Sequence, residues 1–123
     1  MASLIVLDGP QKDSYYPLGH RTNVIGRDEA LMIQILDELV SRKHLQIIYD
    51  KDKDEYHALD MSSKHGVLIN NKKINDETVL ADGDRITIGT TTLWFTKNDF
   101  PDRDSALSHY KKAGERSRPT QIQ

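Results

Sequence analysis

Cysteine is missing from all 123 residues, which excludes disulfide staples, thiolate nucleophiles and thiolate-bound zinc. Long apolar runs are missing too. The opening Leu4-Ile5-Val6-Leu7 is shorter than a signal-peptide core and has no basic residue before it. Nothing approaches the roughly 20 apolar residues of a membrane-spanning helix. A surplus of one charge is also absent. The 17 basic and 19 acidic side chains leave a formal net charge of −2, which excludes general attraction to nucleic acid or anionic membrane. Any anion site is then local, built from a few side chains. Apolar residues make up only 37% of the chain and charged ones 29%, the balance of one modest core under a well-solvated surface. The expectation is a monomeric, intracellular protein, cytoplasmic with a nuclear location left open.

What the chain does contain is a succession of short β-type runs, each closed by turn chemistry. Ser3 to Leu7 stops at Asp8-Gly9-Pro10, Tyr15 to Leu18 at Gly19, and Thr22 to Ile25 at Gly26. In His44 to Tyr49, the residues Leu45, Ile47 and Tyr49 alternate with His44, Gln46 and Ile48, the period of a half-buried strand. The charged Asp50-Lys51-Asp52-Lys53-Asp54 that follows reads as a hairpin tip. Glu55 to Met61 and Gly66 to Ile69 come next, then Asn70-Asn71, whose tolerance of positive φ suits a tight hairpin. Thr78 to Leu80, Arg85 to Ile88 and Thr91 to Thr96 complete the series. No amphipathic helix separates successive strands, so parallel α/β is disfavoured. The pattern is that of an all-β sandwich or barrel.

This domain is expected to fill residues 1–100, with a tail over 101–123. A short helix is expected at Asp102 to Ala113, where Ala106, Leu107, Tyr110 and Ala113 recur at helical spacing and Gly114 offers a stop. Glu115 to Gln123 has little to bury and is expected to be mobile.

Several chemistries are excluded by spacing. His20, His44, His57, His65 and His109 form no i, i+3 or i, i+4 helical pair, so no metal site is expected. Asp8, Asp28 and Asp60 belong to no paired-carboxylate or Ser/His/Asp signature, so no enzyme and no cofactor are expected. The basic tail residues Lys111, Lys112, Arg116 and Arg118, beside the single aromatic Tyr110, are too few for a nucleic-acid surface.

Three polar clusters remain, each in a turn between strands: Gly26-Arg27, Ser41-Arg42-Lys43-His44, and Ser62-Ser63-Lys64-His65-Gly66. They combine guanidinium, ammonium, hydroxyl and imidazole groups and contain no acid. A phosphate dianion wants this mixture, with arginine for forked charge-assisted bonds and serine for a short neutral donor.

The ordered set resembles the forkhead-associated (FHA) domain family. That pattern places Gly-Arg after an early strand, then Ser-x-x-His, then Asp-x-x-Ser-x-Asn-Gly-x-x-x-Asn, then Gly-Asp before a final hairpin. Here the matching residues are Gly26-Arg27, Ser41 to His44, Asp60 to Asn70, and Gly83-Asp84 followed by Ile86 and Gly89, so the resemblance covers about residues 3 to 97. One position departs from it. His65 stands where the family usually has an asparagine that contacts the peptide backbone, and an imidazole lacks the amide's paired donor and acceptor.

The resemblance implies an antiparallel β-sandwich of about eleven short strands, and a protein-interaction module that binds phosphothreonine peptides in signalling. It implies that Arg27 and Ser41 make the main phosphate contacts, and that Arg42, Lys64 and His65 add phosphate or peptide contacts. Gly26, His44, Gly66 and Asn70 are implied as residues that shape or brace the loops. The loop Asp28 to Val40, and Leu39 in particular, is expected to help set the residue preferred three positions after the phosphothreonine. The partner is then a threonine-phosphorylated protein, a kinase or its substrate. The alternative is a phosphate-independent scaffold of the same fold whose pocket has been lost or repurposed. Thr120, with three residues after it, is a candidate to dock on a second copy when phosphorylated and link chains head to tail.

Overall fold

The computed structural model describes residues 2–117. In chain order its elements are β1 (Ser3–Asp8), β2 (Tyr15–Pro17), β3 (Asn23–Gly26), β4 (Ile33–Gln34), β5 (Leu45–Asp50), β6 (Glu55–Asp60), β7 (Val67–Ile69), β8 (Lys72–Lys73), β9 (Thr78–Val79), β10 (Arg85–Ile88), β11 (Thr91–Thr96) and α1 (Arg103–Ser117). One sheet runs β2-β1-β11-β10-β7-β8 and the other β4-β3-β5-β6-β9. Every pairing is antiparallel except β3 with β4. The expected sandwich is therefore present, with strand limits within a residue or two of the sequence pattern. The two strands that the pattern missed, β4 and β8, are two residues long, too short to express a period.

Alternation packs the layers. From one sheet Leu4, Val6, Ile86, Ile88, Leu93 and Phe95, and from the other Ile25, Leu45, Ile47 and Ala58, enter a single core, all essentially inaccessible. A core of this kind follows from period-2 strands with one apolar face. Asn70 and Asn71 have φ of 51° and 69°, the double positive φ that a two-residue hairpin between β7 and β8 requires.

β1 and β11 are buried on both faces. Their register pairs Ile5 with Trp94, and these two turn away from the main core to form a second cluster with Ala106. Leu107, Tyr110 and Ala113 of α1 close over it, with the Tyr110 ring edge-on to Trp94 at 4.9 Å. The helix is longer than the expected Asp102 to Ala113, running through Gly114 to Ser117. The sequence pattern identified the apolar stripe but not the sheet face that supports it. Asp102 caps the helix by accepting the Ser105 amide at 2.8 Å. The Tyr15 hydroxyl donates to the Phe100 carbonyl at 3.0 Å and accepts its amide at 2.8 Å, which holds the connection between β11 and α1 against β2. No helix among the described residues is long and apolar enough to cross a membrane. Arg118 and Thr120, and with them the proposed head-to-tail contact, lie outside the described residues.

Candidate functional site

Three loops meet at one end of the sandwich because two backbones cross there. A Cβ on Gly26 would run into the carbonyl of Arg42 and come within 2.8 Å of that of Ser41, so only glycine lets segment 41–42 lie across the end of β3. The crossing is then stitched. The Arg27 amide donates to the Ser41 carbonyl at 3.0 Å, the Asp28 amide to Arg42 at 3.1 Å, and the His44 amide to Ile25 at 2.9 Å.

His44 closes the arrangement from inside. Although the strand period placed it with the half-exposed set, it is fully buried one residue ahead of β5. Its Nδ1 accepts the Ser41 amide at 2.9 Å, and its Nε2 lies 2.7 Å from the Gly66 carbonyl. The carbonyl has no proton to give, so Nε2 carries the hydrogen and the ring is the neutral Nε2–H tautomer. The Ser41 hydroxyl accepts the Lys64 amide at 3.1 Å, leaving its own proton free to donate outward. Within the third loop the Ser63 amide donates to Asp60 at 2.9 Å, and the Ser63 hydroxyl accepts the Gly66 amide at 2.9 Å. Gly66 has φ +80°, a conformation that side chains disfavour.

These bonds frame a cleft of about 220 Å³ lined by Arg27, Glu38, Leu39, Val40, Ser41, Lys64 and His65. Arg27 is oriented by one bond, its Nε donating to the Val40 carbonyl at 2.9 Å. Its terminal nitrogens have no protein partner among the described residues. The cleft can therefore offer a guanidinium fork, a hydroxyl, an ammonium and an imidazole to one anion. Arg42 is not part of the lining. Its guanidinium leans toward Asp28 at 3.6 Å, beside a separate groove shared with Lys43. Asn70 sits at the other end of β7, where its side chain donates to Asp84 at 2.8 Å and accepts the Arg85 amide at 3.0 Å. It braces the turn ahead of β10 and not the cleft.

Two positioning residues escaped the sequence reading. Asp37, only 4% exposed, accepts the Leu39 amide, the Thr90 amide and hydroxyl, and the Thr91 hydroxyl, all within 2.9 Å. Burial alone would raise its pKa, but these bonds, led by the Thr90 hydroxyl, hold it below the ordinary aspartate value. Gln11 pins the other side of the same arm, donating to the Gln34 carbonyl and accepting the Leu36 amide, each at 2.6 Å. Apart from the local bond of Asp37 to the Leu39 amide, both act across long sequence separations that no local pattern reveals.

Away from the cleft, Asp50, Glu55 and His57 bring their ligating atoms within 4.8 Å of one another on β5 and β6. Both His57 nitrogens already meet carboxylates, Nδ1 with Glu77 at 2.7 Å and Nε2 with Glu55 at 3.2 Å. Burial lowers the His57 pKa, but the two carboxylates outweigh it and raise the ring above its ordinary value.

The family model for the FHA domain matches residues 23–89. An oxoglutarate dehydrogenase inhibitor from Corynebacterium jeikeium is 34% identical over 94 residues, covering 76% of this chain and 63% of that protein. The glycogen accumulation regulator GarA from Mycolicibacterium smegmatis is 33% identical, covering 76% of this chain and 58% of that one. The chain thus spans less than two thirds of the length of these curated relatives. Among solved structures, one from a study of phosphothreonine-dependent FHA domain interactions superposes with a TM-score of 0.70 at 30% identity, over 80% of this chain and 98% of its own. The FhaA FHA domain complexed with the intracellular domain of Rv3910 gives 0.68 at 32%, over 77% and 99%.

Proposed function

The chain belongs to the FHA domain family, and from that membership we propose that it is a phosphothreonine-reading interaction module without catalytic activity. The observation that carries the reading is the convergence of Arg27, Ser41, Lys64 and His65, from three separate loops, on one small cleft. In this reading the free end of the Arg27 guanidinium and the Ser41 hydroxyl take the phosphate, the Lys64 ammonium adds charge, and His65 donates to the peptide backbone. Arg42 reaches the ligand only by leaving Asp28. The neutral His44 ring touches no ligand; it sets the spacing between the Ser41 and Gly66 loops. Both relatives carry the names of regulators rather than enzymes, which supports a binding role. The partner is a threonine-phosphorylated protein.

The test is an oriented phosphothreonine peptide library with an unphosphorylated control. Capture of phosphorylated sequences only, lost on Arg27→Ala, supports the reading. Equal capture of both libraries would replace it with a phosphate-independent scaffold.

A further inference from the structure

Among the residues lining the cleft there is one carboxylate, Glu38, where phosphate binding alone calls for none. It is exposed and takes part in no ion pair among the described residues, although Arg27 and Lys64 line the same cleft. Its position is not loose. Glu38 and Leu39 form the tip of a turn closed by the Val40 amide on the Asp37 carbonyl at 2.9 Å, and Asp37 is bolted to Thr90 and Thr91. The backbone of the tip is therefore anchored, and it carries the Glu38 carboxylate in the cleft lining. Beside a phosphate dianion that carboxylate offsets part of the attraction that Arg27 and Lys64 supply, and a cation on the ligand turns the same charge into a gain.

We propose that Glu38 is a specificity-determining residue that reads a lysine or arginine of the bound peptide. The partner is then a phosphothreonine segment with a basic residue close to the modified threonine, and acidic flanks are rejected. This rests on the phosphothreonine reading above. An extended peptide advances about 3.3 Å per residue, so a long basic side chain up to about three residues from the phosphothreonine reaches the tip. Its aliphatic stem lies along Leu39, which is 44% exposed, while its charged head meets Glu38.

The experiment is a positional scan. One phosphothreonine peptide carries Lys, Gln or Glu in turn at each flanking position, titrated by fluorescence anisotropy against the parent, Glu38→Gln and Glu38→Lys. At one or more positions the parent binds the Lys peptide roughly two- to fivefold tighter than the Gln peptide, as a solvent-exposed ion pair allows, and the Glu peptide more weakly still. Glu38→Gln levels the three, and Glu38→Lys reverses their order. Arg27-dependent binding without charge discrimination would overturn this inference alone, as would Glu38→Gln tightening every peptide equally, since Glu38 would then merely oppose the phosphate. Failure of the parent to bind any phosphothreonine peptide would overturn the functional reading as well.

Discussion

His44 donates from Nε2 to the Gly66 carbonyl at 2.7 Å, so one buried ring joins two loops 22 residues apart. Replacing it with alanine leaves that carbonyl and the Ser41 amide without partners, and empties a buried site. Each unmet group costs about 1–3 kcal/mol. His44→Ala is expected to lower the denaturant midpoint and to weaken phosphopeptide binding, though the ring touches no ligand. Unchanged chemical denaturation would show that the bond is dispensable.

Arg27 and Ser41 are expected to rank differently in binding. Arg27→Ala removes a charge-assisted contact of roughly 1.5–3 kcal/mol, about ten- to a hundredfold in affinity, with the circular dichroism of the fold retained. Ser41→Ala removes a neutral donor and costs less. Calorimetric titration giving the reverse order would reject the assignment.

Much of this was visible in the chain itself, and what was not has a physical reason. Strands β5, β6 and β10 declare themselves by alternation and β1 and β11 by short apolar runs between turns, whereas two-residue β4 and β8 exist only through their neighbours. Gly26-Arg27, Ser41 to His44 and Ser62 to Gly66 announce themselves as acid-free polar turns, whereas the Glu38-Leu39 tip that also lines the cleft does not. Asp37 does not, since it reads as one surface carboxylate among 19 acidic residues until folding brings Thr90 and Thr91 to it. The lean of Arg42 toward Asp28 is likewise a tertiary fact.

Acid should loosen the recognition arm through Asp37. Its folded pKa is depressed, so its contribution is present above the ordinary aspartate range and is lost as pH falls through the folded value. Asp37→Asn keeps the shape but sets an NH2 donor against either the Leu39 amide or the threonine donors, and is expected to cost about 2–3 kcal/mol. The variant should also lose part of the parent's acid dependence, measured as melting temperature against pH. An identical acid limb in both proteins would dismiss the role.

His57 contributes in the opposite direction. Its folded pKa is raised, so the stabilisation from Glu77 and Glu55 is full below the ordinary histidine value and fades as pH rises through the folded value. Glu77→Gln should flatten the part of the melting-temperature decline that sets in as pH rises above the ordinary histidine value. Titration of the ring by nuclear magnetic resonance gives the direct check, a lower pKa in the variant than in the parent.

Helix α1 is expected to be structural and separable from binding. Ile5 and Trp94 are buried beneath Ala106, Leu107, Tyr110 and Ala113, whereas the cleft is lined entirely by loop residues outside that cluster. Truncation after Phe100 uncovers both side chains, and burial of one large apolar group is worth about 1.5–3 kcal/mol. The truncated chain should melt at a lower temperature, and the emission of Trp94, the single tryptophan, should shift to the red. Affinity for a phosphothreonine peptide should stay near that of the longer chain, since the His44 and Asp37 bonds that shape the cleft are retained. A large loss of affinity at a temperature where the truncated chain is still folded would place α1 in the binding machinery instead.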